Sequence, residues 1–227
     1  MRIPRRLSRI TIAAAVVAAM HGTARAQTDC PMDTLWAQSK LQVFGALYTR
    51  AAKVDTTFLN GCGRGIAQYD FEAGTFVSEI DFTCSGWTSV TAWDEYTIAG
   101  LDPGTPVSLR VELEADAQML MVPGMYPNIN ASARLSAGGA TAAMSATTLP
   151  QHEVLALPLT QDAGTPFAVS IALRTSTNVS GGHTRVETAL RFVGLPDGAR
   201  VESCQGFHGT VVPSRQTTWG ALKAIYR

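Results

Sequence analysis

The stretch Val107-Ser108-Leu109-Arg110-Val111-Glu112-Leu113-Glu114-Ala115-Asp116 decides how this chain folds. Its odd positions are all apolar and its even positions are polar or charged, the period of a pleated strand with one dry face and one wet face. A helix would scatter the same apolar side chains around its circumference. The rhythm recurs elsewhere. Phe167, Val169, Ile171 and Leu173 alternate with Ala168, Ser170, Ala172 and Arg174; Phe76, Ile80, Phe82 and Cys84 share a parity with Ser78, against Thr75, Val77, Glu79 and Asp81.

Glycine or proline interrupts this pattern at the spacing of antiparallel strands, and further strands are predicted at 41–49, 89–99, 132–136, 140–147, 154–159 and 200–206, roughly ten in all. Pro158 has no N–H to donate to a ladder, so its strand belongs at a sheet edge. Only 32–41 carries a trace of a helical stripe, which leaves no crossovers for a parallel sheet. The expected fold is therefore all-β, an antiparallel two-sheet β-sandwich of jelly-roll-like or Ig-like type, in one domain over residues 27–211. Two hairpins are expected within it. Gly181-Gly182 reads as a two-residue type I′ turn that sets Leu173 opposite Leu190 and Ile171 opposite Phe192. Glu72-Ala73-Gly74 reads as a three-residue turn that sets Ile66 opposite Ile80 and Cys62 opposite Cys84.

The 227 residues are 46% hydrophobic and 16% charged, enough apolar content to fill a core and too little charge for a disordered tail or coiled coil. The chain opens with basic MRIPRRLSR, apolar ITIAAAVVAAM and polar HGTARA, the layout of a secretory signal peptide over residues 1–26 with cleavage before Gln27. Five of the 18 basic residues and none of the 18 acidic ones fall in it, so the remainder holds 13 basic against 18 acidic residues, a net charge of −5. With only Lys40, Lys53 and Lys223 as lysines, that balance argues against a nucleic-acid partner. No later segment is long and apolar enough for a transmembrane helix in the mature chain. Export to the periplasm, cell surface or medium makes Cys30, Cys62, Cys84 and Cys204 candidates for two disulfides; the hairpin register favours Cys62–Cys84, leaving Cys30–Cys204 to tie the ends.

Motifs of catalysis are sparse. No G-x-S-x-G occurs, and His152, His183 and His208 are not at metal-ligand spacing and read as exposed side chains. Glu112, Glu114 and Asp116 share one strand face; they suit a glycosidase carboxylate pair or a calcium ion, but regular alternation with a dry face reads more simply as a solvated strand. Met119, Met121 and Met125 offer thioethers for a soft metal or a gap-filling loop. No catalytic residue, cofactor or metal site is assigned. Trp87, Trp93 and Tyr96 cluster after Cys84 and are candidate glycan-stacking rings, with core or rim packing as the plainer reading. The segment 212–227 leaves the strand pattern as a basic and aromatic tail.

Asp94-Glu95-Tyr96-Thr97-Ile98 with Gly100 and Pro103-Gly104-Thr105, then Gly164-Thr165-Pro166-Phe167, then Gly194-Leu195-Pro196 with Gly198-Ala199, resemble the turn framework of uncharacterised exported bacterial β-sandwich proteins. Similar segments occur in ectodomains of PEP-CTERM proteins, which are surface or extracellular matrix components. The likeness spans 65–206 and implies a sandwich fold without an activity; Pro-Glu-Pro, a terminal apolar helix and a closing arginine cluster are lacking. The expected function is a non-enzymatic structural or adhesive β-sandwich at the cell surface, contacting a glycan or a surface protein. A carbohydrate-binding module is the runner-up, and a glycosidase or lyase on a jelly-roll-like scaffold comes third.

Overall fold

A computed structural model describes residues 36–40, 46–48, 53–61, 63–82, 85–121, 129–146, 150–177, 182–203 and 205–207. Within them run thirteen strands: β1 (Trp36–Lys40), β2 (Ala46–Tyr48), β3 (Lys53–Asn60), β4 (Gly63–Asp70), β5 (Thr75–Phe82), β6 (Gly86–Ala99), β7 (Pro106–Met121), β8 (Ile129–Ala137), β9 (Ala140–Ala146), β10 (Gln151–Asp162), β11 (Phe167–Thr177), β12 (Gly182–Val193) and β13 (Arg200–Ser203). They form two antiparallel sheets packed face to face, a β-sandwich. One sheet has seven strands in the order β2-β1-β6-β11-β8-β9, with β13 also paired to β6; the other has six, β10-β7-β12-β5-β4-β3.

The alternation that marks Val107 to Asp116 holds in three dimensions. Val107, Leu109, Val111, Leu113 and Ala115 are buried on β7, and Phe167, Val169, Ile171 and Leu173 are buried on β11 of the facing sheet. Each fully buried Leu, Ile or Phe contributes roughly 1.5–3 kcal/mol through its removal from water. The core is graded along its length. At one end Tyr96 stands with its ring 5.0 Å from Phe192 and 5.7 Å from Phe207, and Phe167 lies 6.1 Å from Phe192. Toward the other end the Ser78 hydroxyl donates to the Thr88 carbonyl at 2.9 Å and lies 3.0 Å from Thr175 Oγ1, joining the two sheets through the interior. Buried hydroxyls are tolerated there because they find such partners.

Pro158 sits on β10, whose partner is β7 alone among the described strands, so the edge expected from its missing N–H is observed. The aromatic end is closed by turns. Gly104 N–H donates to Ala163 O, and Gly164 N–H to Ile98 O, both at 2.9 Å. Gly100 has φ 89°, and a Cβ there would fall 2.1 Å from Gly198 O, so two turns meet backbone to backbone where only glycine fits.

Three expectations are corrected. The Gly181-Gly182 hairpin does not form: β11 lies between β6 and β8 in one sheet, β12 between β5 and β7 in the other, and the chain changes sheets between them. Leu173 and Leu190 are both buried, but across the core rather than across a ladder. Gly182 lacks the positive φ of a type I′ turn; it is the buried first residue of β12, where a Cβ would press on Ile129 Cδ1 at 3.1 Å. The Gly-Gly type I′ turn is instead Gly138-Gly139, with φ 55° and 79°, joining β8 to β9. The β4–β5 hairpin is present but one residue out of the expected register. Phe71 joins the turn, Ile66 pairs with Glu79, and Gly65 pairs with Ile80. The cysteine pairing that rested on the other register loses that support, and Cys30, Cys62, Cys84 and Cys204 lie outside the described residues. Finally, Trp36–Lys40, inside the stretch with the helical trace, is strand β1. The segments 1–26 and 212–227 also lie outside the described residues.

Candidate binding face

From Thr88 onward the even positions of β6 are buried and the odd positions point to the outer side of the seven-stranded sheet. This parity separates the three aromatic candidates. Tyr96 is 1% exposed and belongs to the aromatic core, which withdraws it from any surface site. Trp87 and Trp93 share the outer face, but six residues along a strand puts them roughly 20 Å apart. A single sugar ring cannot touch both. Trp93 is partly buried against the core, and the guanidinium carbon of Arg174 lies 5.1 Å from the Trp87 ring centroid, covering one face of the indole.

Between the two tryptophans the sheet carries an open trough of about 560 Å³. Its floor is made of small side chains on neighbouring strands, among them Ser89, Ala172, Ser132, Ala143 and Ser145, and two long ones, Arg134 and Arg174, rise from it. Register explains their closeness: Arg134 on β8 pairs with Ala172 on β11, two residues from Arg174. Diagonal neighbours of this kind are roughly 7–8 Å apart. Both arginines are exposed, and among the described residues neither forms an ion pair. From Trp87 to Trp93 on β6, and at the outward positions of β8 and β9, no acidic residue occurs.

The outer face of the six-stranded sheet is opposite in character. There Glu112 meets Arg110 at 2.6 Å, Glu114 meets Arg191 at 2.6 Å and Asp116 meets His152 at 2.7 Å, so each of the three β7 carboxylates has its own cationic or titratable partner. The carboxylate row is the ion-paired strand face of the plainer reading. Glu114, Asp116 and His152 do bring three ligand atoms within 4.8 Å of one another, but Arg191 and the His152–Asp116 bond already engage them. The Asp116 contact lifts His152 above the ordinary histidine pKa. His183 is half-buried rather than exposed, its Nε2 3.2 Å from Glu79. Glu79 is 6% exposed and also bound by Arg64 and Arg185. Burial opposes its ionisation, but hydrogen bonds from Arg185 and His183 outweigh that and hold its carboxyl below the usual range. Met119 is half-buried at the end of β7, whereas Met125, the Met121 side chain and His208 lie outside the described residues.

One further titratable group is buried in the core. Asp94 Oδ1 accepts the Glu95 N–H at 2.8 Å and Oδ2 accepts the Gln205 N–H at 3.3 Å. Burial pushes this carboxyl up to about 6, against hydrogen bonds from Ser203 and those two amides. Its role is to pin the turn after β13, which carries Phe207 into the aromatic cluster. Sequence reasoning missed Arg134 and the part played by Arg174. Their signal is faint: two arginines at outward positions of strands with no acid beside them. No protein-family model matches the chain, and no curated protein matches it by sequence.

Proposed function

We propose that this protein is an exported, non-catalytic β-sandwich with an adhesive role, and that it attaches through the outer face of its seven-stranded sheet. The observation that carries this reading is the division of charge between the two faces. On the six-stranded face the three β7 carboxylates and Glu79 each meet a basic side chain of this chain; on the seven-stranded face, away from Glu95 and the Arg200–Glu202 pair, two arginines have no carboxylate partner among the described residues and stand over a floor of small side chains. Unpaired charge beside a concave, small-residue surface is available to a partner, whereas a self-paired lattice of ions has little left to offer. The composition, the leader-like opening and the even cysteine count support an extracytoplasmic setting.

The test is attachment of the protein to producing cells and their envelope material, measured by pelleting. Replacing Arg134, Arg174 and Trp87 together by Gln, Gln and Ala is expected to leave the circular dichroism spectrum unchanged and to release the protein into the supernatant. Retention of the triple variant at the wild-type level would refute the reading.

A further inference from the structure

Resting on that face as the contact surface, we infer that its trough takes an acidic polysaccharide, a polymer whose sugar units carry carboxylates. Seven arginines lie among the described residues. Five of them (Arg64, Arg110, Arg185, Arg191 and Arg200) are held by glutamates of this chain. The two that are not, Arg134 and Arg174, are diagonal neighbours in the trough. A guanidinium presents a planar fork that matches a carboxylate with two parallel hydrogen bonds. Two forks carried by strand positions roughly 7–8 Å apart address two carboxylates, or one carboxylate and the hydroxyls beside it.

Neutral sugar recognition by ring stacking fits this surface poorly. The indole of Trp87 has one face under Arg174, so it works as a wall that holds the guanidinium outward rather than as an open stacking platform. Extent favours a polymer over a free sugar acid. The trough runs over four strands, β6, β11, β8 and β9, a width of roughly 14 Å at the strand spacing. Small floor residues let a chain lie close to the backbone. The acids of this face stand outside the trough: Glu95 is four residues beyond Thr91 on β6, and Glu202 on β13 is held by Arg200.

The experiment is a titration of tryptophan fluorescence, with pull-down as a second readout, on the protein as recovered from the cell envelope or medium. The ligands are polygalacturonate, the same polymer with its carboxylates methyl-esterified, and single-stranded DNA of matched charge. Polygalacturonate is expected to bind and to weaken as NaCl is raised from about 50 to 500 mM. The ester is expected to bind at least about tenfold more weakly, as is the acid polymer to Arg134→Gln or Arg174→Gln. Arg191→Gln, on the opposite face, is expected to match the wild type. Equal binding of acid and ester, or arginine variants that bind normally, would overturn the proposal. DNA bound as tightly as the acid polymer would replace sugar recognition by unselective attraction of polyanions, which also overturns it. No binding to polygalacturonate, with attachment to cells still lost in the triple variant, would sink the acidic polysaccharide and leave the contact face standing; attachment that survives the triple variant sinks both.

Discussion

Asp94 shows at the scale of one residue how a core position can depart from the rule that reads inward as apolar. It follows the inward parity of β6, yet it is a carboxyl group, accepting the N–H of its strand neighbour Glu95 and that of Gln205 where the chain turns after β13. Its proton is held up to about pH 6 in the fold and released near 3.8 in the unfolded chain. Between those values the folded state binds more protons, so this group makes stability fall as pH rises from 4 to 6. Glu79 acts in the opposite sense at lower pH, because its depressed carboxyl contributes stability that is lost on acidification. The difference between wild type and Asp94→Asn therefore isolates the Asp94 contribution. Denaturant titrations at several pH values are expected to give the wild type an excess loss across this window, on the order of 3 kcal/mol, that the asparagine variant lacks. Parallel profiles for the two proteins would contradict the assignment. No parity rule marks this residue in the sequence, where Asp94 reads only as one polar letter in a strand.

At the scale of elements, strands were legible and their partners were not. Alternation located β7, β11 and β12 because burial on one face leaves period two in the residues themselves. The same inward residues serve equally well beside a neighbour in one sheet or opposite a neighbour across the core. Two Gly-Gly pairs look alike on paper, but one is the turn between β8 and β9 and the other stands where the chain crosses between sheets. Pro158 was legible because its missing donor is a local chemical fact. Its edge is open to a prediction. Pro158→Val gives β10 a complete row of donors beside half-exposed Val154, and the variant is expected to self-associate at concentrations where the wild type is monodisperse by light scattering. A variant as monodisperse as the wild type would remove the proline from any protective role.

For the molecule as a whole, the aromatic end of the core is assembled from far-apart segments: Tyr96, Phe167, Phe192 and Phe207 come from β6, β11, β12 and the turn after β13. Phe207 also lies against Gly74, in the β4–β5 turn. Phe207→Ala is expected to cost about 3–5 kcal/mol in chemical denaturation, the range for a buried phenylalanine in a packed cluster, and a loss under 1 kcal/mol would show that this clasp is peripheral. The outer faces divide along the same whole-molecule lines, one laced with its own ion pairs and the other carrying Arg134 and Arg174 over small residues. By itself the sequence determined the strand class, the dry faces of β7 and β11 and the edge at Pro158, since all three follow from local side-chain chemistry. Only the tertiary structure decided which strands share a sheet, that Tyr96 is core, and that two arginines forty residues apart stand side by side with no acidic partner among the described residues. Those outcomes depend on pairings between distant segments, and a period of two is the same whichever neighbour a strand finds.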